Sequence, residues 1–317
     1  MPDKIIVVGA GMAGLLAGCM LRSDCEYIQE SQPSLPNNHS ALLRFRSSVV
    51  GDTLGIEFKK VNVLKTIAPW RNPMADALSY AKKATGTYAL RSSLTAKSEL
   101  EERFIAPGNL IEMMAERVQS PIKFNKSVDF KSLKGKPVIS TIPMPALMKA
   151  LEYPRADKVD FNYSHGANIN AILENCKFYG TVYVPNPEID FTRISITGDR
   201  LTIEFSGMDA VDLTFENNRY MSEALSILGM KIAGKKLLVD VKDIEVSNQK
   251  YAKILPIDDD ERKRFIVWAT DKFNIYSLGR FATWRPSVLL DDVVKDIRLI
   301  KNLIRKGHSY DQKKGDV

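Results

Sequence analysis

The sequence predicts an α/β fold in which a parallel-sheet domain is assembled from both ends of the chain and a β-rich domain is inserted between its halves. Three observations carry this. The first thirty residues run through an apolar strand, a glycine-rich turn, a helix and a second strand. Apolar strand-like runs return at 138–142 and 274–278, the latter followed by an amphipathic helix at 289–304. Between them, residues 160–247 are dominated by short alternating or β-branched segments.

Taken in order, residues 4–9, with Ile5-Ile6-Val7-Val8 ending in glycine, read as a fully buried parallel strand. Residues 11–21 read as a helix with small residues facing that strand, and 26–30 as a second strand, which completes a β-α-β unit of minimal length. Ser, Pro and Asn mark 31–39 as a loop. Residues 61–67 are strand-like and 75–83 helix-like. Leu110, Ile111, Met114 and Val118 recur at helical spacing in 109–119 after the start signal Pro107-Gly108. Residues 121–130 alternate as a strand, and 138–142 form a buried strand that runs into Pro143 and Pro145. In the β-rich region 179–184, 192–196 and 201–205 read as strands, with Thr197-Gly198-Asp199-Arg200 as a hairpin turn and 220–233 as a helix packed on them. Residues 265–270 and 274–278 are strand-like, and Leu290, Val293, Val294, Ile297, Ile300 and Ile304 form one apolar stripe. The polar tail from 306 is expected to fray. The domain division that follows is 1–150 with 250–305 for the nucleotide domain, 151–249 for an inserted substrate domain, and 306–317 for the tail.

Composition narrows the function. With 44% hydrophobic and 26% charged residues the chain is an ordinary globular one. No uninterrupted apolar stretch reaches the length of a membrane span, and the glycines in residues 4–21 argue against a signal peptide as well. Cys19, Cys25 and Cys176 make neither an even disulfide framework nor a metal-ligand spacing, which points to a reducing cytoplasm. His39, His165 and His308 stand far apart, so neither a zinc site nor a Ser-His-Asp hydrolase is expected. The net charge of +7 suits anionic partners, among them dinucleotides, nucleotide-sugars and DNA.

Gly9-Ala10-Gly11-Met12-Ala13-Gly14 is a GxGxxG motif after a buried strand and at a helix start, the context in which it is informative. Gly9 permits the tight turn, Gly11 lets the backbone approach a pyrophosphate, and Gly14 lets helix and strand pack closely. The helix N-terminus adds free N–H groups and partial positive charge. Glu30, which closes the second strand, is placed to accept hydrogen bonds from a ribose. The motif alone does not separate NAD from FAD.

Tyr276-Ser277-Leu278-Gly279-Arg280-Phe281, followed by Trp284 and by Asp291-Asp292 at a helix start, resembles the C-terminal flavin segment of UDP-galactopyranose mutases and the wider amine oxidase and protoporphyrinogen oxidase superfamily. Val138-Ile139-Ser140-Thr141-Ile142-Pro143, Phe191-Thr192-Arg193-Ile194 and Tyr251-Ala252-Lys253-Ile254-Leu255-Pro256-Ile257 are similar to further segments of that group. The resemblance touches both ends and the middle, about a third of the chain. It implies a Rossmann-type FAD-binding domain and FAD as cofactor, bound by Gly9 to Gly14, Glu30, Arg44, Val128, Thr141, Gly279, Arg280, Asp292 and Val293. It implies Arg280, Lys253 and Arg193 as catalytic-site residues, the arginines toward anionic charge and the lysine toward water or oxygen. The Gly-Gly pair that follows the acidic residue in many members is replaced here by Asn37-Asn38-His39-Ser40.

The activity so implied is an amine oxidase-like, FAD-dependent oxidation of a carbon–nitrogen substrate. The alternative is a mutase-like isomerisation of a nucleotide-sugar. The substrate is expected to be a small-molecule amine or a modified nucleotide. Basic charge on a short chain is also similar to the small flavoenzymes with which phages process amino-acid-modified thymidine in DNA. Arg44-Phe45-Arg46 and Lys59-Lys60 are the residues expected to track a phosphate backbone, although a half-buried strand with an arginine face has the same pattern.

Overall fold

The computed structural model describes residues 3–36, 44–88, 97–230 and 240–314. In chain order its elements are β1 (Ile5–Val8), α1 (Met12–Leu21), β2 (Cys25–Gln29), β3 (Arg44–Phe45), α2 (Val49–Leu54), β4 (Lys59–Ile67), α3 (Pro73–Thr85), β5 (Ser98–Ile105), α4 (Leu110–Arg117), β6 (Ile122–Lys123), β7 (Val138–Ser140), α5 (Met144–Ala150), β8 (Tyr163–Leu173), β9 (Phe178–Tyr183), β10 (Phe191–Gly198), β11 (Arg200–Phe205), α6 (Ala210–Ile227), β12 (Val241–Ile254), α7 (Asp259–Phe273), β13 (Ile275–Ser277) and α8 (Leu290–Lys314). Two sheets organise them. A five-stranded sheet, β13-β7-β1-β2-β6, is parallel throughout. An eight-stranded sheet, β12-β8-β11-β10-β9-β4-β5-β3, is antiparallel except where β4 meets β9.

The parallel sheet is covered on both faces, which is why β1 is apolar at every position. Ile5 and Val7 pack with Leu15, Leu16, Leu110, Val294 and Ile297 on the side of α1, α4 and α8. Ile6 and Val8 pack with Met144, Leu147, Phe265 and Ala269 on the side of α5 and α7. Each fully buried Ile, Leu or Val contributes about 1.5–3 kcal/mol. The α/β fold, with its parallel sheet drawn from both ends of the chain, is therefore as expected.

The large sheet has one apolar face, where Ile194, Ile196, Leu201, Ile203 and Phe205 bury Leu213, Tyr220, Ala224 and Leu225 of α6. Its other face is polar. There the Thr202 hydroxyl donates to Asn170 Oδ1 (2.8 Å), and Thr181 and Ser195 lie 3.3 Å apart. The α3 helix is tied to the end of the β9–β10 hairpin by Lys83, whose ammonium donates to the carbonyls of Val184, Asn186 and Phe191. Burial without a carboxylate at bonding distance lowers that ammonium to about 8.

Several boundaries differ from expectation. The inserted domain is not confined to 151–249, because β3, β4 and β5 belong to the eight-stranded sheet and β12 runs on to Ile254. Residues 265–270 are helix, not strand: Asp258 caps α7 by accepting the Glu261 N–H (2.9 Å), and Phe265 and Ala269 bury one face at i, i+4 spacing. The exposed Val267 made that short apolar run look β-like. The strand expected at 121–130 stops at Lys123, and Asn125 takes a positive φ of 53° just beyond it. The helix expected at 220–233 starts earlier, at Ala210, and ends at Ile227 before Gly229, whose φ of 72° favours glycine. Positions 231–233 lie outside the described residues, as does the segment 37–40. α8 continues through the expected tail to Lys314. Among the described residues, no helix is long and apolar enough to cross a membrane.

Candidate functional site

The turn between β1 and α1 is held in a conformation that glycine tolerates. Gly9 has a φ of 100°, and its N–H donates to the Gln29 carbonyl at 2.8 Å. At Gly14 a Cβ would stand 1.8 Å from the Gly9 carbonyl oxygen, so the helix sits on the turn itself. Gly11 is different. A Cβ there would meet no protein atom within 4 Å, which leaves open space before the first turn of α1.

Glu30 reaches across this turn. Its Oε2 accepts the Ala10 N–H (2.7 Å), while Oε1 accepts from the Gln32 N–H (3.0 Å) and the Ser31 hydroxyl (3.2 Å). A carboxylate has about four acceptor positions, so room remains for a hydroxyl. Thr141, just after β7, donates through both its N–H and its hydroxyl to the Val8 carbonyl (2.9 Å each). Gly9, Gly11, Glu30, Val128 and Thr141 line one cleft of about 410 Å³. Lys126 also lines it, and its N–H donates to the Glu30 carbonyl at 2.9 Å. No sequence signal singled out Lys126, because its place depends on the loop between β6 and β7.

The C-terminal segment approaches the same helix. Gly279 has a φ of 88°, and a Cβ on it would lie 3.1 Å from the Ala13 side chain. The Thr283 hydroxyl and N–H both donate to the Gly279 carbonyl, at 2.7 and 3.0 Å, which fixes the Gly-Arg turn. The Arg280 guanidinium carbon lies 5.7 Å from the centre of the Phe281 ring. At the start of α8, Asp292 caps its own helix by accepting the Leu289 N–H (3.0 Å), and Val293 is buried among the residues packed with α1. Trp284 is buried too, with its indole N–H on the Leu255 carbonyl (2.9 Å), and Arg285 pairs with Asp296. Trp284 is thus a core residue, and Arg285 is engaged in an ion pair.

The remaining candidates sit on the large sheet. Arg193 is expended on Glu204, which it grips through Nε and through Nη2 (2.6 Å to Oε1). Burial alone would raise the Glu204 carboxyl, but the charges of Arg193, Lys253 and Arg44 overcome it and hold the group at about 2. Lys253 is thus part of the electrostatic surroundings of Glu204. Arg44 lies over the same polar face, where Nε donates to Thr197 Oγ1 (2.8 Å), Nη1 to Thr181 Oγ1 (2.7 Å) and Nη2 to the carbonyls of Gly180 and Ile196. Burial lowers it to about 10. These bonds correct the expectation that Arg44 lines the dinucleotide cleft. Of the four basic residues expected to track a phosphate backbone, Arg44 is consumed in the sheet, Lys60 pairs with Glu102 (2.7 Å), and Lys59 and Arg46 are exposed.

Were a dinucleotide to occupy this cleft with its ribose at Glu30, Glu30→Ala would be expected to weaken its binding about tenfold or more and to leave the thermal midpoint within a few degrees, because no core contact is lost. Unchanged affinity in a fluorescence titration would assign the ribose to another residue.

No family model and no curated protein matches this sequence. Solved structures do share its fold. A reduced UDP-galactopyranose mutase superposes with a TM-score of 0.64 at 14% identity, over 96% of this chain and 94% of that one. An oxidoreductase from Methanosarcina mazei gives 0.60 at 13% identity, over 94% and 100%. Aklavinone-11 hydroxylase, in a ternary complex with FAD and aklavinone, gives 0.53 at 11% identity, over 95% of this chain and 62% of that one.

Proposed function

We propose that this chain is a FAD-dependent oxidoreductase that oxidises a carbon–nitrogen bond in a small-molecule amine or a modified nucleotide. The observation that carries the reading is the cleft at the β1–α1 turn, where Glu30 and the open space before Gly11 meet, together with the Gly279 turn that lies against Ala13 of the same helix.

The residues present fit FAD. The space a Cβ on Gly11 would fill admits a pyrophosphate, and the free N–H groups of the first α1 turn face it. Glu30 would hold the ribose, with Val128 and Thr141 walling the adenosine side. Gly279, Asp292 and Val293 stand at the flavin side. When bound, FAD supplies the hydride-accepting chemistry. The chain contributes position and charge: Arg280, beside Phe281, offers a cation to an anionic ring edge or substrate.

A sugar isomerase of the mutase kind would use the same cofactor, and its fold is equally compatible. A nucleotide-sugar diphosphate would call on Arg193, however, whose guanidinium is already gripped by Glu204. That favours oxidation. The test is the absorption spectrum of the purified protein, with the flavin identified after denaturation, followed by oxygen uptake with a panel of amines and amine-bearing nucleotides. Turnover of a nucleotide-sugar after dithionite reduction, without amine oxidation, would reverse the assignment. A colourless protein that shows no thermal shift with FAD would remove both. Binding to an amine-modified oligonucleotide at several salt concentrations separates DNA from small substrates, because each phosphate contact adds about 0.7–0.9 to the log–log slope.

Arg280→Ala is expected to lower turnover about ten- to hundredfold, as for loss of one charge-assisted contact of roughly 1.5–3 kcal/mol. Arg280→Lys restores only part of it, since lysine lacks the planar fork. Wild-type rates in both variants would place the side chain outside the site.

A further inference from the structure

From Asp260 onward the exposed residues of α7 are Asp260, Lys263, Arg264, Val267, Asp271 and Lys272. Spaced three and four apart, they align in one stripe along the helix. Val267, at the centre, is 57% exposed although apolar, and Trp268 beside it is half-buried. A groove of about 800 Å³ follows the stripe, and every residue lining it belongs to α7. The helix cannot turn this stripe inward, because Phe265 and Ala269 hold the opposite face in the core and Asp258 caps the first turn.

A single exposed apolar side chain is ordinary. What distinguishes this stripe is the order of its charges. Arg264 lies three residues before Val267 and Asp271 four residues after it, with Asp260 and Lys272 farther out at the two ends. Lys263 pairs with Asp259 (2.6 Å), whereas Arg264 only reaches Glu261 at 4.0 Å, a carboxylate that Arg155 already grips. Among the described residues, Asp260 and Asp271 have no ion pair. Two such helices, laid antiparallel across a two-fold axis at Val267, set Arg264 of each opposite Asp271 of the other and bring Lys272 toward Asp260. A parallel arrangement would instead set each charge against its own copy.

We propose that α7 is an isologous dimer interface, in which this stripe packs antiparallel on the same stripe of a second copy with Val267 and Trp268 at its centre. α7 and α1 cover opposite faces of the parallel sheet, so the pairing leaves the cleft at Glu30 and Gly11 uncovered in each copy. A contact between two helices of about four turns lies at the low end of specific interfaces, under about 1,200 Å², so the dimer is expected to be weak, with a Kd of about 1–100 μM.

Sedimentation velocity on the full chain, at concentrations spanning that range, tests the pairing without reference to the cofactor. Wild type is expected to pass from monomer to dimer as concentration rises, and less readily at high salt. Val267→Lys, at an exposed position, should weaken association about tenfold or more. Arg264→Asp and Asp271→Arg should each do the same, since each sets like charges opposite one another on both sides of the axis. Mixed in equal amounts, these two single variants should associate to within about threefold of wild type, because each supplies the charge that the other lacks. The double variant should recover by itself. A stripe that serves only to solvate α7 gives no such recovery. Wild type that stays monomeric across the range would overturn the proposal, as would charge variants that associate like wild type or that fail to recover on mixing.

Discussion

Gly14→Val is expected to give a protein that does not fold, whereas Gly11→Val gives a folded protein that no longer binds FAD. The motif treats these glycines alike, but their surroundings do not. A side chain at Gly14 would place its first carbon 1.8 Å from the Gly9 carbonyl oxygen and 3.0 Å from the carbonyl carbon, both backbone atoms in a turn already fixed by the Gly9–Gln29 hydrogen bond. Relief would require α1 to lift off β1, taking Leu15 and Leu16 out of the core. Overpacking typically costs about 1–3 kcal/mol, and a clash with rigid backbone lies at or beyond the top of that range. At Gly11 the added atoms meet no protein within 4 Å and occupy the room that a pyrophosphate needs. Circular dichroism melts and FAD titrations of the two variants check the contrast. A Gly14→Val protein that melts like wild type, or a Gly11→Val protein that keeps its FAD affinity, would contradict it.

The nucleotide unit was legible because its contacts are local. Strand, turn, helix and Glu30 lie within thirty residues, and Gly14 answers to the Gly9 carbonyl of the same unit. The arginines were not. What Arg44 and Arg193 touch depends on strand pairing, and the partners of Arg44 lie 136 to 153 residues away. An arginine in an alternating strand can bind a ligand or fasten the sheet, and only the register decides. The different environments of Asp291 and Asp292 do have a signal in the sequence. Asp291 precedes Val294 by three residues and so belongs to the buried stripe of α8, while Asp292 falls between stripe positions and caps the helix. The misread α7 shows the opposite failure, since a six-residue apolar run contains too little periodicity to separate helix from strand.

Glu204→Gln should be the most destabilising charge change on the large sheet. Glu204 and Arg193 face each other across β11 and β10, with side-chain exposures of 12% and 24%. Removing the carboxylate leaves Arg193 charged, mostly buried and close to two further cations, Arg44 and Lys253. Loss of one partner of a buried pair costs about 3–5 kcal/mol, and the remaining exposure of Arg193 places the expected loss near the lower end. Replacing both partners, as Arg193→Met with Glu204→Leu, should recover most of it, because no charge is then stranded. The same pair sets an acid limit. Glu204 is held at about 2 in the folded protein against an ordinary value of 4.5, so its contribution is complete above pH 4.5 and is lost as the pH falls toward 2. Thermal midpoints measured from pH 5 to 2 should therefore fall more steeply in wild type than in the double variant. Parallel acid limbs would mean that the pair contributes little to stability and that its arginine is free to serve the substrate after all.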